Sequence, residues 1–105
     1  MSLSGNFGGV SLEGDHVRAI GNSIEQDGYE SVSLNIAIVQ NGTVVPGPAQ
    51  VSGGNWTTDP PLPAGKLSPG PALGLASQTL IAEGAPPTFV TFTWSEELDI
   101  TSAGE

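Results

Sequence analysis

The chain has 105 residues and a mass of 10.6 kDa, which allows one compact domain and hardly a second. Eleven acidic residues against two basic ones give a formal net charge of −9, so no basic stripe exists to neutralise a phosphate backbone, and nucleic acid is excluded as a partner class. With no cysteine and one histidine, disulfide scaffolding, thiol catalysis and zinc sites built from cysteines or several histidines are excluded too.

A chain of this size can bury roughly 64% of its unfolded surface, enough for a modest core. The first residues, Met1-Ser2-Leu3-Ser4-Gly5-Asn6, have neither a cationic region nor a long apolar run, so they do not read as a signal peptide; Met1–Leu3 reads as an expression remnant. The longest apolar alternation, Val32 to Val39, falls far short of the roughly 20 residues of a membrane-spanning helix, so no membrane insertion is expected. Fifteen Gly and nine Pro bring the chain close to low complexity, and alternating apolar segments decide for order.

In chain order, Gly8–Leu12 and His16–Ile20 read as short early strands. Ser31–Ile38 is the clearest strand: Val32, Leu34, Ile36 and Ile38 fall on one face and Ser31, Ser33, Asn35 and Ala37 on the other. Asn41-Gly42 then supplies the positive φ angles of a two-residue type I′ hairpin, so Thr43-Val44-Val45 should return antiparallel. Pro46 and Pro48 are expected to interrupt that ladder, bending the strand or confining it to an edge before Ala49-Gln50-Val51 resumes. Asp59–Gly65 and Ser68–Pro71 are rich in proline and predict extended surface loops. Ala72–Ala82 is ambiguous between a helical turn and a strand; alternation of Leu73 and Leu75 with small residues favours a strand in which Gly74 permits a bulge or close packing. Thr88–Trp94 is a second clear strand, with Val90, Phe92 and Trp94 on its inner face.

Short strands punctuated by Gly, Pro and Asn predict an all-β, immunoglobulin-like β-sandwich of about seven to eight antiparallel strands. Residues 1–14 read as an N-terminal extension or first edge strand, 15–101 as a single sandwich domain and 102–105 as a C-terminal tail. The order Val51-Ser52-Gly53-Gly54-Asn55-Trp56-Thr57-Thr58-Asp59, followed by Leu62-Pro63-Ala64-Gly65, resembles bacterial immunoglobulin-like domains of large surface proteins. The resemblance covers residues 31 to 82 and departs from the family pattern at the proline-broken Lys66–Pro71. It implies that Trp56 plugs the sandwich, that Leu62 and Gly65 anchor a loop, and that the domain is a non-catalytic spacer or adhesive module, placed at the cell surface or outside the cell.

The residues capable of chemistry are few. His16 has no nucleophile motif near it and reads as a surface or strand-edge residue. The clusters Glu25-Asp27-Glu30 and Glu96-Glu97-Asp99 offer calcium-type oxygens but lack calcium-loop spacing and read as solvated acidic loops. Asn41-Gly42-Thr43 and Asn55-Trp56-Thr57 match the glycosylation sequon, the first being better explained by its turn. No catalytic residue, cofactor or metal ligand is expected. The function expected is a non-catalytic structural or adhesive module with a protein or glycan partner. The alternatives are a virion or phage-tail structural domain and a carbohydrate-binding module, whose ligand would stack on Trp56 and Tyr29.

Overall fold

In the computed structural model, which describes residues 5–102, eight strands are present: β1 (Asn6–Glu13), β2 (His16–Asn22), β3 (Glu30–Gln40), β4 (Thr43–Ser52), β5 (Asn55–Thr57), β6 (Leu62–Pro63), β7 (Gly70–Ala82) and β8 (Thr88–Ser102). Candidate features at Met1–Leu3 and at 103–105 lie outside the described residues. The strands do not divide into the two facing sheets of an immunoglobulin-like sandwich. They form one sheet in the order β1-β8-β7-β3-β4-β5-β2, and β2 pairs with β1 again, closing a seven-stranded barrel. This corrects the expected fold: the all-β class stands and the architecture differs. The closing ladder is β1 against β8, parallel and only three pairs long, Val10↔Ile100 to Leu12↔Ser102. The short β6 is an outlying part of β5: both pair with the same strand, at Gly21↔Trp56 and then Val17↔Leu62, and Asp59–Pro61 loop out between them.

The local elements follow from local chemistry. Asn41 and Gly42 hold φ angles of 49° and 79°, the left-handed pair that a type I′ turn requires, and Gln40↔Thr43 closes the hairpin. Contrary to the expected interruption, the ladder with β3 runs unbroken through Ala37↔Pro46 and Asn35↔Pro48, while the other side of β4 is, as expected, a local edge there. Two residues apart, the prolines lack donors on the same side of β4. A side with no ladder to lose is available, because β5 pairs with β4 only over Gln50–Ser52. In β1, Phe7 and Val10 are both buried despite a spacing of three, because a bulge between Phe7 and Gly9 inserts one residue and restores the inward parity. In β3 a bulge between Ser31 and Ser33 does the reverse, turning Val32 outward to 55% exposure, whereas the sequence pattern placed it inside.

The interior is narrow and full. Leu34, Ile36, Ile38, Val17, Val10, Val45 and Ile100 are buried there, each worth about 1.5–3 kcal/mol relative to exposure. Large side chains fit because small ones face them. A Cβ on Gly74 would lie 2.8 Å from both Leu98 Cδ1 and Phe7 Cε1, and Leu62 fills the space that a side chain at position 47 would need. Phe7 meets Trp56 edge to face, with centroids 5.1 Å apart and planes at 86°. Of the expected inner face of β8, Val90, Phe92 and Trp94 are half-buried. The strand continues beyond Trp94, so Glu96-Glu97-Asp99 stands on a strand and not in a loop.

Two buried glutamines fasten the connections across the ends of the barrel. Gln40 accepts from Ser68 N at 2.9 Å and donates to Ser68 O and Pro71 O at 2.9 and 3.0 Å. Gln78, with no exposed surface, accepts from Ile24 N at 2.9 Å and donates to Ile24 O at 3.2 Å and Ser31 Oγ at 3.1 Å. A primary amide can stand in for a peptide group in this way, so the connecting loops stay buried without orphaned backbone atoms. The β7–β8 ladder ends at Ala82↔Thr88, one pair past the Glu30↔Ile81 end of the β3–β7 ladder. A 15-residue strand spans about 50 Å when extended, and the long axis of the molecule is 49 Å.

Candidate functional site

Because the interior is taken up by core side chains, the outer surface is where the strands present side chains to solvent, and residue position along each strand decides what neighbours what there. Of the outer depressions, those of about 300 and 450 Å³ hold titratable side chains, Glu25, Asp27 and Tyr29 in one and Glu97 in the other, and two others hold none. The first, of about 680 Å³, lies across β4, β3, β7 and β8. The register lines up Pro46, Ala37, Leu75 and Ser95 across these strands, and the row above it holds Val44, Val39 and Leu73. Val44, Leu73 and Leu75 are 57%, 39% and 38% exposed, so this outer face is apolar across β4, β3 and β7, and on β8 it is bordered by Ser95 and the exposed Glu97.

The second depression, of about 430 Å³, lies on the other side of the barrel across β1, β2, β5 and β4. Here the register places Asn6, Asn22, Asn55 and Ser52 in one row and Gly9, Ile20, Thr57 and Gln50 in the next. Ile20 is 48% exposed at its centre. Asn6 Oδ1 accepts from Asn22 N at 3.0 Å, and Gln50 Nε2 donates to Asp59 O at 2.8 Å. These bonds leave the amide N–H₂ of Asn6 and the carbonyl oxygen of Gln50 as the outward donor and acceptor. The floor is held by Trp56, whose Nε1 donates to Asn6 O at 3.0 Å. Gly21 lies so close over the indole that a Cβ there would sit 2.7 Å from Nε1 and also overlap the Asn6 carbonyl. Only glycine lets β1, β2 and the tryptophan approach this closely.

The residues singled out from sequence do not converge. Trp56 is 2% exposed, so it presents no ring face to a ligand, and Tyr29 lines a different depression at the end of the barrel, beside Glu25 and Asp27. His16 is exposed at the start of β2, opposite Glu13 and Pro63. Among the described residues no group of three or more His, Asp or Glu side chains gathers as a metal site would need. Arg18 pairs with Glu13 at 3.3 Å, both about one-third exposed. Leu62 is buried and Gly65 holds a φ of 60°, with Leu67 N donating to Ala64 O at 3.1 Å to fix the turn. The sequon residues Asn41 and Asn55 are both exposed.

The asparagine row was not singled out from sequence, because it exists only through cross-strand register. The one local signal was the Gly14-Asp15 turn: counted outward from it, with one bulged residue at Gly8-Gly9, Asn6 falls opposite Asn22. Among the described residues, which are all strand, turn and loop, no helix is long and apolar enough to cross a membrane. Comparison with protein-family models, with curated proteins and with solved structures yields no match, so the reading of this site rests on its own geometry.

Proposed function

We propose that the barrel is a non-catalytic structural or binding module of a larger protein, acting through its outer surface. The observation that supports this is the lining of the two outer depressions. In a chain with 13 charged residues, neither contains a titratable side chain. Proton transfer and nucleophile activation need a base or acid within hydrogen-bond reach of the reacting group. Apolar contact and neutral hydrogen bonding need only what these surfaces offer, namely aliphatic side chains, amides and hydroxyls on a rigid sheet. A filled interior agrees with this division of labour, since the core holds the frame and the outer faces remain free to vary.

The test compares substitutions within the parent protein. Leu75→Arg and Ile20→Arg each place a charge in the centre of one depression, and at least one of them should abolish attachment of the protein to its partner while the melting transition stays in place. His16→Ala should leave attachment unchanged. A turnover activity lost in His16→Ala with the fold intact, and indifferent to both arginine variants, would overturn the reading.

A further inference from the structure

The geometry points to the asparagine row as a binding site for a neutral oligosaccharide, an inference that rests on the reading of the barrel as a binding module and names its ligand class and residues. Four features select that chemistry. The row Asn6, Asn22, Asn55 and Ser52 crosses four strands, and at an interstrand spacing of about 4.8 Å it extends for about 14 Å, the length of an extended ligand and not of a single small molecule. Its polar groups are amides and hydroxyls that both donate and accept, matching sugar hydroxyls, which do the same. Two of the amides are already oriented: Asn6 by its bond to Asn22 N, and Gln50 by its bond to Asp59 O. Orientation before binding lowers the ordering cost that a weak polar ligand must otherwise overcome. Finally, the aliphatic Ile20, 48% exposed in the next row, offers an apolar contact for the C–H face of a sugar ring.

The competing ligand classes fit less well. Phosphate-bearing and acidic ligands find no Lys or Arg in the lining and meet a chain of net charge −9. A protein partner would need a larger apolar or aromatic centre than Ile20 alone, because the aromatic residue here is buried beneath Gly21. The apolar face of β4, β3 and β7 is the surface suited to that role.

The experiment displays neutral oligosaccharides beside sialylated and uronate-containing ones on a printed array, applies the labelled protein at its highest soluble concentration, and titrates the best neutral ligand in solution. Binding confined to neutral glycans is expected. The double variant Asn22→Ala/Asn55→Ala and the single variant Ile20→Ala should each weaken it about tenfold or more, while Val32→Ser, at an exposed position outside both depressions, leaves it unchanged. Far-ultraviolet circular dichroism and the melting midpoint establish that each variant is folded. Silence towards all neutral glycans, preference for acidic ones, or binding that ignores the Asn22, Asn55 and Ile20 variants would overturn the assignment. The binding-module reading survives those outcomes if attachment of the parent protein still depends on Leu75, and fails separately if neither outer face matters.

Discussion

Replacing Gln78 by Leu keeps the side chain's size and removes its three hydrogen bonds, and so measures what holds the β2–β3 connection over the end of the barrel. The residue is fully buried, and its amide serves Ile24 N, Ile24 O and Ser31 Oγ. Ser31 is exposed and can turn to water, so its share of the loss is small. Ile24 is 4% exposed, and its N–H and C=O would be left without partners in a dry site, at about 1–3 kcal/mol for each. The expected destabilisation is therefore about 2–5 kcal/mol, a large part of the 5–15 kcal/mol typical of a domain. Urea unfolding gives the free energy, and hydrogen exchange at the Ile24 amide gives the local effect. A companion variant, Gln78→Glu, separates hydrogen bonding from charge. Burial pushes the new carboxyl upward from the usual carboxylate range, since its protonated form can still donate to Ile24 O. The folded state then binds more protons than the unfolded state above the unfolded pKa, so stability should fall as pH rises from the acid range toward neutrality. A loss under 1 kcal/mol for the leucine variant, with unchanged exchange at Ile24, would refute the clamp.

Five further outcomes are expected. Ser23→Ala should be neutral or stabilising by up to about 1 kcal/mol in thermal unfolding, because Ser23 Oγ is buried without a hydrogen-bond partner. Gly21→Ala should cost about 3 kcal/mol or more, since the added methyl meets the rigid Asn6 carbonyl and the Trp56 indole. At Gly74→Ala the obstructing atoms are side-chain ends, so a cost of about 1–3 kcal/mol is expected from chemical denaturation. Arg18→Ala should change stability by less than about 1 kcal/mol, because its ion pair with Glu13 is part-exposed and screened. Acrylamide should quench Trp94 well before Trp56 in single-tryptophan variants, as Trp56 is 2% exposed and Trp94 only half-buried.

What the sequence disclosed was local. Alternation at Leu34, Ile36 and Ile38 gives β3 its inner face, Asn41-Gly42 sets its hairpin, and Gly74 lies where two large side chains crowd the backbone. The errors arose wherever parity or closure depends on a distant strand. Val32 obeys the alternation and still faces out, because the bulge against Leu80 and Thr79 shifts the register by one residue. Pro46 and Pro48 look like ladder breakers until it is known which edge of β4 lacks a neighbour. Trp56, expected first as a core plug and only in the alternative as a sugar platform, is buried, but the part played by Gly21, which covers it, is invisible without the β1–β2 pairing.

Closure itself is the feature least accessible to pattern, because a period of two reads the same in a sandwich and in a barrel. The decisive pairing joins Val10 to Ile100, 90 positions apart, and extends over only three residue pairs. A hint lies in the sizes of the inward residues: Ala19, Gly47, Ala49, Ala72, Gly74 and Ala76 face the interior beside Leu34, Ile36 and Ile38. Two flat sheets 10 Å apart would fill with uniformly large side chains, whereas a narrow tube requires small residues opposite large ones. The same constraint carries over to function. A tube too narrow for a ligand commits its inner face to packing, so the proposed binding falls to outward residues, Asn22, Asn55 and Ile20 on one side and Val44, Leu73 and Leu75 on the other.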